Sequence, residues 1–160
     1  MSQLAAGPAA RAALSPRDPA RAAHDWLGTL AEVPLFGGLP KRHLRRIAKL
    51  AHIRRFAPGS AMVRTGDAGR SFFVLLDGRA KVVRAGGRAR RLGAGDYFGE
   101  MALLDDAPRS ADVVAEGEVL ALTIGRPEFA KLLRAEPSLA QALLRTLAAR
   151  LRAAEAQASI

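Results

Sequence analysis

The run Phe98-Gly99-Glu100-Met101-Ala102-Leu103-Leu104-Asp105-Asp106-Ala107-Pro108-Arg109-Ser110-Ala111 gathers the residue types in this chain best suited to chemistry. Gly99 lets backbone approach a ligand closely, and Glu100 to Leu104 read as one helical turn lodged between two strands. A first helical turn leaves N–H groups without partners and so offers donors to an anion. Arg109, held just after Pro108, adds a permanent cation whose fork of donors suits phosphate oxygens, and Ser110 adds a hydroxyl. Glu100 has the wrong sign for a bare phosphate and must meet another part of the ligand. A carboxylate accepts hydrogen bonds, and a ribose 2′-hydroxyl offers one. A sugar phosphate whose phosphate and hydroxyl lie side by side satisfies both demands, and a 3′,5′-cyclic nucleotide is such a molecule.

The elements that must position these groups follow from the pattern around them. Met1 to His24 is Ala, Pro and Arg with little large apolar surface, which predicts a disordered leader over 1–24. From Asp25, Trp26, Leu27 and Leu30 lie at helical spacing until Gly37-Gly38 breaks the run. A second helix opens at Pro40, with Leu44, Ile47, Ala48 and Ala51 on one face and Lys41, Arg42, Arg45, Arg46 and Lys49 on the other. Residues 25–58 are therefore expected to be an N-terminal helical segment. Turn signals then arrive every few residues, the mark of short antiparallel strands. Ser71 to Leu76 and Arg79 to Arg84 are expected to form a hairpin about Asp77-Gly78. Further strands are expected at Arg88 to Leu92, Tyr97-Phe98, Ser110 to Ala115 and Val119 to Ile124, the last two joined around Gly117. The fold class expected is mainly β with flanking helices: an eight-stranded, jelly-roll-like barrel over 59–125. Two helices should close it over 126–160, with Pro127 suiting the first turn of one and Pro137 restarting the other. Ala140, Leu144, Leu147, Leu151, Ala154 and Ala158 carry the spacing of a two-helix seam or of a lid over the barrel mouth.

The segment 98–111 resembles the phosphate-binding cassette of the cyclic nucleotide-binding domain family, which includes kinase regulatory subunits, nucleotide-gated channels and the catabolite activator type of transcription factor. The likeness covers roughly Leu30 to Arg150 and takes in Pro58-Gly59, Gly66-Asp67, the strand from Phe72 to Gly78, the cassette and the closing helices. It implies that Glu100 holds the 2′-hydroxyl, Arg109 and Ser110 the cyclic phosphate, and Gly99, Met101 and Ala102 the backbone contacts. The ligand so implied is cAMP, with cGMP the alternative, and no further cofactor. The spacing from Glu100 to Arg109 is similar to that of kinase-subunit and channel cassettes. In the activator type a Thr-Ser pair on the last helix reaches the adenine, whereas the matching stretch near Ala153-Ala154-Glu155 has no hydroxyl. Arg150 or Arg152 is the candidate to cover the base by a cation–π contact, set against an ordinary solvated charge.

Composition bounds the other readings. With 160 residues and no cysteine, one domain is expected, without disulfides, a thiolate metal cage or a Cys nucleophile. The longest run of large apolar residues is Phe72 to Leu76, so neither a membrane span nor a secretory signal is expected and a cytoplasmic location is. The net charge of +10 rests largely on arginine and is densest over residues 25–58. The basic face Lys41 to Lys49 suits nucleic acid or an anionic membrane, against the plainer reading of a solvated face. His24, His43 and His52 all precede the barrel, so no metal centre on its strands is expected, and His43 and His52 are expected to be surface or boundary residues without a special role. No nucleophile elbow or Walker loop occurs, and an enzymatic role is not expected. No helix-turn-helix is expected after the last helix. The reading is a cyclic nucleotide sensor that signals through its C-terminal helices, which also offer a surface for a homodimer or protein partner. The alternative is a non-binding scaffold that works through its basic helix or terminal seam.

Overall fold

The computed structural model describes residues 27–87 and 89–158. The expected leader, Trp26 and His24 lie outside those residues. In chain order the elements are α1 (Leu27–Glu32), a 3₁₀ turn (Pro34–Phe36), α2 (Lys41–Leu50), β1 (Ala51–Phe56), β2 (Ala61–Val63), β3 (Ser71–Val83), β4 (Arg90–Leu92), β5 (Tyr97–Phe98), α3 (Glu100–Asp105), β6 (Asp112–Gly125), α4 (Arg126–Ala135) and α5 (Pro137–Ala158). The strands form one antiparallel sheet in the order β1-β6-β3-β4, with β2 beside β6 and β5 beside β3.

Two long strands organise this sheet, and both bend. β3 and β6 pair along their lengths, with register shifts where Leu75 faces Ala121, Asp77 faces Leu120 and Arg79 faces Glu116. Gly78 and Gly117 sit at the bend with φ of 92° each, a conformation that L side chains resist. One half of the sheet is β1, the end of β6, the start of β3 and β5. The other is β2, the start of β6, the end of β3 and β4. This is the jelly-roll arrangement, with six strands in place of eight because two are shared between the halves; the sheet does not close into a full barrel. The expected hairpin at Asp77-Gly78 is thus a bulge within one strand, since the chain continues in the same direction through the glycine.

The sheet also separates two cores, one on each face. Phe72, Val74 and Leu76 join Leu120, Leu122 and Ile124 beneath the helices, where they meet Leu30, Phe36, Leu44, Ile47, Phe129, Leu139 and Leu143. Phe73 and Leu75 point the other way, into a cluster with Phe56, Met62, Leu92, Phe98, Val113 and Val119. Burial on both faces accounts for the unbroken apolar run Phe72 to Leu76.

Two expectations need correction at the helices. α2 stops at Leu50, and Ala51 to Phe56 is a strand, because the β-branched and aromatic residues Ile53 and Phe56 pair with Leu122 and Val119 of β6. α5 buries Leu139 and Leu143, while Leu144 and Leu151 of the expected seam are 65% and 60% exposed. His43 is not an idle surface residue: its Nδ1 lies 2.5 Å from the buried carboxylate of Glu136, between α4 and α5.

Candidate functional site

The chain enters the cassette from β5, whose Phe98 stacks on Phe73 with ring centroids 4.7 Å apart. Gly99 then turns with φ of 93° and caps α3. No other residue fits here, since a Cβ would lie 2.6 Å from Arg109 Nη1 and 2.9 Å from the Ser71 carbonyl oxygen. Glu100 opens the helix and is buried, at 2% exposure, and Ala102 two residues on is buried too. Asp106 ends the helix in the left-handed region at φ of 58°.

Arg109 returns beneath this turn. Its Nη1 donates to the Gly99 carbonyl at 3.1 Å and its Nη2 to the Ser71 carbonyl at 2.6 Å, while the guanidinium carbon sits 5.9 Å from the Phe73 ring centroid. Backbone bonds tie the same residue to the loop after β2: Arg109 N–H donates to the Asp67 carbonyl at 2.8 Å, and Gly66 N–H to the Arg109 carbonyl at 2.9 Å. Burial lowers the arginine's pKa, and the nearby carboxylates of Glu100 and Asp67 oppose that shift. Next to it, Asp112 accepts from Thr65 N–H at 2.6 Å and from Thr65 Oγ1 at 2.9 Å, bonds that hold its carboxyl below the usual aspartate value.

All six residues singled out by sequence, Gly99, Glu100, Met101, Ala102, Arg109 and Ser110, line one pocket. Val82, Leu92 and Val113 give it an apolar wall, and Arg84 and Arg90 stand at its rim. Ser110 and Met101 are exposed, while Glu100 and Arg109 are sunk into the protein. The arrangement pairs a buried carboxylate and a buried cation with an apolar wall, which suits a small anion bearing both a hydroxyl and an aromatic base. Among the described residues no group of three His, Cys, Asp or Glu side chains is placed to hold a metal ion.

Sequence reasoning left Arg150 among two candidates, and the structure brings it to this pocket from α5. Its Nη1 donates to Glu100 Oε1 at 2.6 Å, and its guanidinium carbon lies 5.8 Å from the Tyr97 ring centroid. Asp67, Tyr97 and Arg126 were not singled out for the site. Their contacts run to residues far along the chain, and no local spacing announces them.

The family profile described as "Cyclic nucleotide-binding domain" matches residues 53–136. The chain belongs to the cyclic nucleotide-binding domain family. A cAMP-dependent protein kinase regulatory subunit of Hypocrea atroviridis is 38% identical over 104 residues, which are 65% of this chain and 22% of that protein. A cGMP-dependent protein kinase of Toxoplasma gondii is 41% identical over 97 residues, 61% of this chain and 10% of that one. Among solved structures, the regulatory domain of Toxoplasma gondii PKA crystallised with cAMP superposes with a TM-score of 0.71 at 28% identity. That match covers 80% of this chain and 50% of the other. The catabolite activator protein of Thermus thermophilus gives 0.73 at 33% identity, covering 79% and 62%. This cyclic nucleotide-binding domain thus spans between 10% and 62% of these four proteins. No helix among its described residues is long and apolar enough to cross a membrane.

Proposed function

We propose that this domain is a non-catalytic, cytoplasmic regulatory module that binds cAMP and reports it by moving α4 and α5. One observation carries the reading: buried Glu100 and buried Arg109 face the same pocket, and Arg150 of the last helix already holds Glu100 at 2.6 Å. In the reading, the ribose 2′-hydroxyl donates to Glu100, while Arg109, the Ser110 hydroxyl and the N–H groups of Gly99, Met101 and Ala102 hold the cyclic phosphate. The purine lies along Val82, Leu92 and Val113. A ligand hydroxyl that occupies Glu100 competes with Arg150, so binding changes what holds α5 against the cassette. The shift this produces is bounded by the difference in ligand affinity between the two helix positions. The exposed Leu144 and Leu151 of α5 supply the surface for a second copy or another protein.

Support for cAMP over cGMP comes from the regulatory subunit relatives and from the Toxoplasma gondii structure that holds cAMP. The test is calorimetric titration of the purified chain with each nucleotide, with Arg109→Ala as control. Micromolar or tighter binding, lost in the variant, is expected. Equal binding by the variant sinks the cassette assignment.

The scaffold alternative rests on α2, where Lys41, Arg42, Arg45 and Lys49 are exposed and the apolar side is buried. It predicts instead a salt-sensitive partner lost on changing Arg45 and indifferent to Arg109.

A further inference from the structure

Arg126, the first residue of α4, reaches two segments that meet behind the cassette. Its Nη2 donates to the Ala102 carbonyl at 2.6 Å and its Nε to the Gly69 carbonyl at 3.0 Å. Nη1 pairs with the Asp106 carboxylate, and the backbone N–H of Arg126 donates to the Arg70 carbonyl at 2.9 Å. Ala102 lies in α3 and Gly69 in the loop before β3, and there the chains nearly touch: a Cβ on Gly69 would lie 2.4 Å from Ala102 Cβ. That seam has no room for packed side chains. What joins its two sides is one planar guanidinium with a donor for each carbonyl. The Asp106 contact is largely exposed and adds little, whereas the carbonyl contacts are part-buried and charge-assisted. A cation at this end of α3 also opposes the partial negative charge of its last carbonyls. Arg126 does not line the pocket.

We propose that Arg126 is a positioning residue for nucleotide binding. It holds α3 where Glu100 and Ala102 face the pocket, and it makes α3 and the first turn of α4 move as one body. This rests on the cyclic nucleotide reading above, and it supplies a second route, besides Arg150, by which an occupied cassette acts on the closing helices.

The test compares the full chain with Arg126→Ala and with Arg126→Lys, which keeps the charge but supplies a point donor in place of the fork. Hydrogen exchange of the ligand-free proteins is read first. Faster exchange across 100–106 in Arg126→Ala, with the strands β3 and β6 unchanged, is the expected result; equal protection of that helix overturns the proposal. Titration with cAMP follows, with affinity expected to fall on the order of 10-fold in Arg126→Ala and less in Arg126→Lys. Ligand-induced protection of α4 should vanish in Arg126→Ala, and a variant that binds and protects α4 like the parent also overturns it. Should the parent bind neither cAMP nor cGMP, the function reading fails on its own, while the ligand-free exchange still decides whether Arg126 holds the helix. Should Arg126→Ala not fold, Arg126→Lys carries both measurements.

Discussion

Gly99, Glu100, Arg109 and Ser110 were legible because a single stretch of chain carries them, and local spacing is what a sequence displays directly. The partners that tune them come from elsewhere: Asp67 from the loop after β2, Arg150 from α5, Arg126 from α4. Asp112 shows how such a partner sets the environment of the cassette's exit. It accepts two bonds from Thr65, which anchors the loop that carries Gly66 and Asp67 against Arg109. These bonds depress its pKa in the folded protein below the unfolded value, so the folded state binds fewer protons there. The stability it contributes is therefore complete above the ordinary aspartate pKa and is lost as pH falls through the depressed one. In Asp112→Asn, urea denaturation across pH 2 to 6 is expected to show a flatter acid limb than the parent. Parallel curves would remove Asp112 from this role.

At the scale of elements, the strands and the helical periods were readable, but the bends were not. Asp77-Gly78 between two apolar runs is the commonest short-range hairpin signal, and here it marks a bulge in β3. A glycine with positive φ serves either purpose, and what decides is β6, some forty residues away, which pairs with both sides of the bend. The α2–β1 junction misled for a similar reason: Ala51 continues the apolar face of the helix, yet β6 draws it into the sheet opposite Ile124. The bend makes its own prediction. A Cβ at residue 78 would lie 2.4 Å from the Glu118 carbonyl oxygen and 3.0 Å from Val119 Cα, at a φ of 92°. Gly78→Ala is expected to destabilise by at least about 1–3 kcal/mol from backbone strain alone. Gly117 has the same φ with open space around it, so Gly117→Ala, which carries the strain without the collision, should cost less. Thermal melts of the two variants side by side check the order; equal losses would mean that strain, not the contact with Glu118, governs the bend.

The whole molecule is tied together at Glu136, the residue between α4 and α5. Its side chain is 2% exposed, and its carboxylate meets His43 Nδ1 at 2.5 Å and Arg46 Nη1 at 3.4 Å, both from α2. His43 Nε2 accepts from Arg42 Nε at 3.2 Å. The backbone N–H groups of Leu139 and Ala140 donate to the Glu136 carbonyl, so the same residue starts the helix that carries Arg150. The movement of α5 proposed above would therefore be felt by the N-terminal helices as well as by the cassette. The two sides of the cluster are not equivalent. Arg46 is 54% exposed and His43 23%, so both regain water if the acid is removed, and in Glu136→Gln the amide oxygen still accepts from Arg46 Nη1. Removing both partners instead leaves a buried carboxylate without the Arg46 cation or the imidazole beside it. Glu136→Gln is accordingly expected to cost about 1 kcal/mol, and the pair His43→Ala with Arg46→Ala roughly 2–3 kcal/mol, short of a fully dry ion pair because water reaches both partners. Urea unfolding at neutral pH measures both. If Glu136→Gln proves the costlier change, the carboxylate is held by its packing and not by α2, and the N-terminal helices drop out of the proposed coupling between pocket and α5.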